Sequence, residues 1–345
     1  MQVNSEDKLP RYARQVILPE IGIEGQLRLS VSKISVVGCG ATGTNISNLL
    51  VRAGIGNFNI IDRDFVELTN LQRQIIFDED DLQVPKALAV VKKLKRINSE
   101  VHLNSIVKDL NATNAEDLLR SSDLVLDGTD NMETRFLIND VCVKYGIPWV
   151  YCGAVGTYGM VMVILPGTTP CFRCFLPNVP PSGALQTCDV AGVLNTIPSI
   201  MAGIASTESI KILLGAKTDI CSNLIVYDAW NQEQQKITVP KNPTCKCCSK
   251  FEFEFLEAKK EDLITALCGR DAIQIVPRRE SNIKLEQMTH RLDKIGEVKC
   301  NEYVLIFKDS ETNYEITLFR DGRAIIKGTR DTDRAKSVYS RFIGS

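Results

Sequence analysis

"ISVVGCGATGTNISNLLVRAG", residues 34–54, decides the fold. The apolar run "ISVV" leads into a Gly-x-Gly-x-x-Gly formed by Gly38, Gly40 and Gly43, and Ile46, Leu49, Leu50 and Ala53 follow at helical spacing. A strand, a glycine loop and a helix in that order usually hold phosphates. The glycines let the backbone turn tightly and approach phosphate oxygens, while the helix N-terminus adds unpaired N–H groups and a positive dipole end. The hexapeptide alone does not separate a dinucleotide from ATP, and a tight turn without any ligand uses the same residues.

Working outward, "FNIID" (58–62) is the next strand, and Pro85 opens a helix whose apolar face is Ala87, Val90, Val91, Leu94 and Ile97. "VHLNSI" (101–106) and "LVLDGTD" (124–130) continue the strands, with a short helix around "NAEDLL" between them. "METRFLINDVCVKYG" is a helix ending at Gly146, and "PWVYCG" is another strand. This alternation predicts an α/β fold, a Rossmann-like, mostly parallel sheet with helices on both faces. Its ligand site belongs outside the carboxyl ends of the strands, where Gly38, Gly40, Gly43, Asp62 and Asp130 all fall. Further on, "YGMVMVILP" reads as a strand, "IPSIMAGIASTESIKILLG" as a long helix, and "NLIVYDAW" with "QKITV" as a hairpin. The composition becomes more charged after "NPTCKCCSK", which sets the expected domains at 1–250 and 251–345. The second reads β-α-β-β-β-α, a small α+β domain in which "EITLF" and "AIIKG" meet at the turn "RDGR".

The totals narrow the function classes. At 345 residues the chain exceeds the usual single domain. A net charge of −1 without a long basic block argues against nucleic-acid binding. The polar start "MQVNSEDKLPRYARQ" lacks a secretory apolar region, and runs such as "MVMVILP" fall well short of the ~18 residues of a membrane span. The expected location is cytoplasmic, with no membrane partner. Only His102 and His290 are present, neither near a motif, so histidine acid–base chemistry is not expected.

Asp62 ends the second strand 19 residues after Gly43, a place where an acid binds ribose hydroxyls. A dehydrogenase fits that much. It does not explain "DRDFVELTNLQRQ" (62–74), which sets Asp62, Asp64, Asn70 and Arg73 beyond the strand, nor Lys86 at the next helix start, nor Asp130 after "LVLDGT". Two cations and an amide suit a triphosphate, and a carboxylate opposite suits Mg²⁺. Each also has a plainer reading: Arg73 as a solvated charge, Lys86 as helix surface, Asp130 as the cap of the following helix. Together at one sheet edge they favour ATP.

These stretches, with "RYARQ" (11–15), "VPKA" (84–87) and "DGTDNMETR" (127–135), resemble the MoeB/ThiF (HesA) family, bacterial and archaeal relatives of ubiquitin-activating enzymes. The resemblance spans residues 11–248; Cys39 and Thr42 stand where the family has small apolar residues. It implies that the backbone around Gly40, with Arg73 and Lys86, holds phosphates, with Asn70 close by. It further implies that Asp62 takes the ribose, that Asp130 binds Mg²⁺, and that Arg14 reaches into the neighbouring site of a homodimer. Without it, Arg14 is one more charge on an N-terminal helix.

Twelve cysteines without an export signal read as reduced thiols. Cys171-x-x-Cys174 and Cys245-x-x-Cys248, separated by 70 residues, have the spacing of a closed structural Zn²⁺ site. Cys247 leaves a register ambiguity within "CKCC", which the x-x spacing settles for Cys248. Family members carry zinc at matching positions. Cys188, in the Gly- and Pro-rich stretch ending "QTCDVAGV", matches the family cysteine that forms a thioester, acyl disulfide or persulfide; its plainer reading is a buried inert thiol.

The resemblance therefore implies an adenylyltransferase that uses ATP, Mg²⁺ and structural Zn²⁺. It would act on the C-terminal glycine of a small ubiquitin-like sulfur carrier ending in Gly-Gly, with Arg14, Arg73, Lys86, Asp130 and Cys188 as the acting residues. Carrier recognition is expected between residues 150 and 240. The competing readings are a non-catalytic scaffold or heterodimer half and an NAD-dependent dehydrogenase, for which no motif supplies a proton donor. The C-terminal domain has no cysteine loop of the sulfurtransferase kind; a module of its size more often docks a partner or stiffens a dimer.

Overall fold

The structure, a computed structural model, describes residues 10–181, 188–216, 218–257, 264–267, 271–277, 283–312 and 314–344. Two compact units divide the chain, Met1–Ala258 and Lys259–Ser345.

The first unit is built on the alternation legible in the sequence. After α1 (Gly22–Val31) come β1 (Lys33–Val37), α2 (Ala41–Ala53), β2 (Asn57–Ile61), α3 (Lys86–Ile97), β3 (His102–Ile106), α4 (Ala115–Leu119), β4 (Leu124–Asp127), α5 (Met132–Tyr145) and β5 (Trp149–Val155). Then follow β6 (Tyr158–Ile164), α6 (Phe172–Phe175), α7 (Cys188–Ala191), α8 (Thr196–Leu214), β7 (Leu224–Asp228), β8 (Glu233–Ile237) and α9 (Glu254–Glu257). The eight strands order as β3-β2-β1-β4-β5-β6-β7-β8. The first five are parallel, and β6, β7 and β8 run antiparallel to their neighbours. Strand order reverses between β1 and β4, so the crevice expected of an open parallel sheet lies at the glycine loop.

Side chains alternate between two buried faces. Ile34, Val36 and Ile60 pack with Leu29, Leu50, Val90 and Met201 on the side of α1, α2, α3 and α8. Val37, Val125, Trp149 and Tyr151 pack with Leu119, Phe136 and Phe172 on the side of α4, α5 and α6. The central strands β1 and β4 are covered on both faces, hence their short buried runs, whereas β3 and β8 at the sheet margins carry exposed polar residues. Among the described residues, α8 is the one helix long and apolar enough to cross a membrane by length and composition. Here it is a core helix: Ile197, Met201 and Ala205 lie buried in the cluster that packs α2 on the sheet. Its buried Glu208 accepts the Cys221 amide at 2.9 Å.

Arg14 was expected on an N-terminal helix, but residues 13–21 are a run of turns; the first α-helix starts only at Gly22.

The second unit contains β9 (Ile264–Leu267), β10 (Ala272–Ile275), α10 (Leu285–Leu292), β11 (Gly296–Cys300), β12 (Val304–Asp309), β13 (Glu315–Phe319), β14 (Ala324–Lys327) and α11 (Thr332–Phe342). Its strands form a six-stranded antiparallel sheet, β11-β12-β13-β14-β10-β9. The β13–β14 hairpin turns at "RDGR" as the sequence predicts, pairing Leu318 with Ala324. The chain has more strands than the sequence reading counted, because short strands of mixed composition such as "GEVKC" carry little alternation. Phe307, Leu318, Ile326, Ala335 and Phe342 form its core.

Candidate functional site

The backbone builds the glycine loop before any side chain acts. Gly38 has φ of +90°, and its N–H donates to Ile61 O at 2.8 Å. A Cβ on Gly43 would stand 1.9 Å from Gly38 O and 3.4 Å from Gly128 Cα. One on Gly128 would stand 2.5 Å from Gly38 O and 2.6 Å from Gly43 Cα. Three backbones thus meet where no side chain fits, which ties the loop after β1 to the loop after β4. Gly40 differs. Its φ is −77°, and a Cβ there would meet only Gly128 O at 3.4 Å. Protein packing does not require that glycine; the room belongs to whatever approaches the loop. Gly40 is also the cap of α2 and offers no side-chain acceptor to the first amides of the helix.

Asp62 lies directly after β2 and holds the loop's shape. Its Oδ2 accepts the Cys39 N–H at 2.5 Å and its Oδ1 accepts the Asp64 N–H at 2.6 Å. Burial pushes its carboxyl up, Lys86 pulls it back down, and Asp64 pushes it further up. The segment from 62 to 86 closes on itself: Lys86 N–H donates to Asp64 O at 2.8 Å, and Val66 N–H to Val84 O at 2.9 Å. This returns Lys86, the first residue of α3, to the edge. Only 6% of Lys86 is exposed, and its Nζ lies 3.7 Å from Asp64 Oδ2. Asn70 is buried in a 3₁₀ turn, its Oδ1 accepting the Glu67 N–H at 3.1 Å. Arg73 is half-exposed and donates to Thr69 O at 2.9 Å.

The loop after β4 contributes residues the sequence reading passed over. Asp127, fully buried, accepts from Thr129 N–H at 2.8 Å, Thr129 Oγ1 at 2.6 Å and Arg135 Nε at 2.9 Å. Arg135 also donates to Thr129 O and lies 5.0 Å above the Tyr151 ring. Burial pushes the Asp127 carboxyl up against the pull of Arg135. Arg63, missed likewise, pairs with Asp109 at 2.9 Å and with Asp64 at 3.8 Å. Asp130 is exposed, and it is Asn131 that caps α5 through the Thr134 N–H at 3.3 Å.

Gly38, Asp62 and Asp130 therefore share the carboxyl edge, with Lys86 brought to it. The edge continues past β5: Val155 pairs with Tyr158, Tyr158 with Asp228, and Asp228 with Glu233. Asp228 takes the Trp230 N–H at 3.0 Å and Asn231 Nδ2 at 2.7 Å, and this turn presents Trp230 with 74% of its surface exposed. No pattern in the sequence singled out that tryptophan. Cys188 begins α7, and its side chain lies outside the described residues. The backbone following it is fixed to the same edge, since Gly156 N–H donates to Gly192 O at 2.9 Å and Leu194 N–H to Gly156 O at 2.8 Å.

Arg14 is not brought to this edge of its own chain. It is exposed, and its neighbours hold to the far end of α2: Gln15 Nε2 donates to Ala53 O at 2.9 Å, and Asn98 Nδ2 donates both to the Tyr12 hydroxyl at 2.8 Å and to Val51 O at 3.0 Å. Helix α2 has 13 residues, placing that end roughly 20 Å from Gly40.

The cysteine pairs do converge. The Sγ atoms of Cys171, Cys174, Cys245 and Cys248 all lie within 4.8 Å of one another, with separations of 4.0, 3.6 and 3.5 Å for 171–174, 171–245 and 174–248. Four thiolates at 2.3 Å from a tetrahedral Zn²⁺ are about 3.8 Å apart, so the donor set fits that ion. Cys248, not Cys247, belongs to the set; the Cys247 sulfur is buried and accepts from Asn139 Nδ2 at 3.1 Å. The bond to Cys171 and burial push the Cys174 thiol up to about 12. Burial likewise raises Cys245. A cation among the four sulfurs would favour their thiolate forms.

A family model for the ThiF family matches residues 12–247. The chain is 38% identical over 339 residues to the sulfur carrier protein ThiS adenylyltransferase of Bacillus subtilis (strain 168), covering 97% of this chain and 99% of that one. It is 38% identical over 273 residues to the sulfur carrier protein adenylyltransferase of Thermus thermophilus, covering 77% and 98%. Among solved structures, E. coli MccB with ATP shares the fold at a TM-score of 0.61 and 23% identity, over 71% of this chain and 76% of that one. The chain belongs to the ThiF family.

Proposed function

We propose that this ThiF-family chain transfers the adenylyl group of ATP to the C-terminal glycine carboxylate of a small ubiquitin-like sulfur carrier. What carries the reading is the shared strand edge, where a glycine with unfilled space at Gly40, a loop-holding acid at Asp62, a buried cation at Lys86 and an exposed acid at Asp130 converge. The full-length similarity to a ThiS adenylyltransferase supports it independently.

In this reaction a carrier carboxylate oxygen attacks the α-phosphorus. A new oxygen–phosphorus bond forms, the α–β bridging bond breaks, and pyrophosphate leaves with the electron pair. No protein nucleophile is needed; the chain's work is positioning and charge neutralisation. The amides of residues 40–43 bind phosphate oxygens, and Lys86 and Arg73 offset the charge that grows on the leaving pyrophosphate. Asp62, with lone pairs left after its two backbone bonds, takes the ribose hydroxyls and fixes the loop at the same time. Mg²⁺, when bound, supplies further charge neutralisation, and Asp130 is the residue that would hold it; Zn²⁺ in the four cysteines would serve the fold.

The chain acts as a homodimer in this reading. Arg14 sits at the far end of its own α2, so its guanidinium serves only the site of a second copy, and the exposed Ile17, Leu18 and Ile23 beside it supply an apolar surface for that copy. The carrier body lies along β5, β6 and β7 against Tyr158 and Trp230, its tail following the edge to Asp130. Cys188, on the segment fixed to Gly156, then attacks the acyl adenylate to form a thioester as AMP leaves, or, once loaded as a persulfide by a sulfane-sulfur donor, attacks through its outer sulfur with the same loss of AMP.

The test is ATP–pyrophosphate exchange with and without a ThiS-type carrier ending in Gly-Gly. Carrier-dependent exchange that falls at least about a hundredfold in Asp130→Ala is expected. Exchange that ignores either the carrier or Asp130 would overturn the assignment.

A further inference from the structure

The sequence separates the two Cys-x-x-Cys knuckles by 70 residues, and one side chain outside both binds the interior of each. Asn139, fully buried on α5, accepts the Phe172 N–H on Oδ1 at 2.9 Å and donates from Nδ2 to Cys247 Sγ at 3.1 Å. Phe172 lies between Cys171 and Cys174, and Cys247 between Cys245 and Cys248. The next residue, Asp140, accepts the Phe255 N–H at 2.9 Å and fixes the chain that leaves the second knuckle. An amide is suited to this place because it offers an acceptor and a donor at once, which neither a carboxylate nor a hydrocarbon does.

The same helix face reaches the other end of the unit. Asn131, Arg135 and Asn139 follow at intervals of four, one above the other on α5. Asn131 caps the helix, Arg135 grips Asp127 and Thr129, and Asn139 grips the knuckles. Phe136 fills the space between, with its ring centroid 5.5 Å from Phe172 and 4.8 Å from Phe255. Four residues of helix put the two grips about 6 Å apart along a rigid rod.

We infer that Asn139 is the positioning residue that joins the two cysteine knuckles, and that α5 thereby couples zinc retention to the order of the loop at 127–131. Neither half uses Asn139 as a ligand. It brings the four sulfurs into register ahead of the metal, and it does so from the helix whose first turn shapes the loop bearing Asp130. This holds whatever nucleotide or carrier the chain uses, so its failure and that of the proposed reaction are separable.

The experiment uses full-length, zinc-loaded protein. Transfer of Zn²⁺ to a chromogenic chelator is timed for wild type, Asn139→Ala, Asn139→Asp and Cys247→Ala. The aspartate keeps an acceptor for the Phe172 N–H and loses the donor to Cys247. Cys247→Ala keeps all four ligands and removes the acceptor of Asn139 along with the thiol's contacts to Asp140 and Cys171. Release 10–100-fold faster in Asn139→Ala is expected, as for outer-shell partners of metal ligands, with a smaller acceleration in Cys247→Ala. Should Asn139→Ala not fold, Asn139→Asp, which touches only the bond to Cys247, decides in its place. In parallel, amide hydrogen exchange of peptides covering 127–135 is compared in wild type before and after zinc removal, and faster exchange after removal is expected. Release at the wild-type rate in every folded variant would overturn the clamp. Unchanged exchange at 127–135, with exchange rising only around the cysteines, would overturn the coupling.

Discussion

The glycine edge and the cysteine knuckles are served by the first turn and the middle of one helix, and they are built by opposite means. At the edge, backbone packs on backbone: Gly38, Gly43 and Gly128 leave no room for a Cβ, while Gly40 and Asp130 face space and solvent. At the knuckles, side chains close everything. Four sulfurs face one another, Phe172 is fully buried among aromatic rings, and Asn139 spends both ends of its amide inside the protein. A site that must admit and release a ligand keeps groups uncommitted and relies on a rigid frame beneath them. A site that only holds the fold together leaves nothing open. Stability and activity therefore divide between the two regions in a way that substitutions can test.

The largest effect belongs to the closed region. Cys245→Ser removes a ligand and with it metal binding that is folding energy, so a loss of at least about 5 kcal/mol and a melting temperature lowered by at least ~10 °C are expected. A melting curve that matches wild type, with zinc still bound at one equivalent, would break the comparison at its strong end. Next comes the frame under the open region. Asp127→Ala strands the buried Arg135 guanidinium and is expected to cost about 3–5 kcal/mol in denaturant unfolding. The sharpest contrast lies within the loop itself. Gly43→Ala drives a Cβ into Gly38 O and is expected to destabilise by about 3 kcal/mol. Gly40→Ala meets only ordinary contact and stays within about 0.5 kcal/mol of wild type, yet it weakens ATP binding measured by calorimetry. Equal stability losses in the two alanine variants would show that Gly40 also belongs to the frame.

Much of this was legible in the residues. The glycine triplet after a short apolar strand, the acid at the end of the next strand and the doubled Cys-x-x-Cys each have a chemistry that needs those residues at that spacing. They placed the parallel sheet, the strand edge at which Gly38, Asp62 and Asp130 fall, and the four-sulfur cluster, including Cys248 over Cys247. What the spacing did not carry were groups that act through partners distant in the chain. Asp127 and Arg135 looked like flanks of "DGTDNMETR", and Asn139 like one polar residue inside a helix. Trp230 ends the stretch "NLIVYDAW", which its pattern marks only as one arm of a hairpin, and the second unit's shorter strands fall below the alternation that announces a strand.

By itself, then, the sequence determined which local units form and which chemical groups they carry, because turn conformations, periodicity and ligand type are properties of near neighbours. The tertiary structure alone decided which of those groups meet. It set Gly128 against Gly43, returned Lys86 to Asp64, placed Arg14 by the C-terminal end of α2 and set Asn139 between two knuckles that the chain keeps apart. The physical reason is common to all four: burial and hydrogen bonding reward contacts across the packed interior, and local sequence spacing carries no record of them.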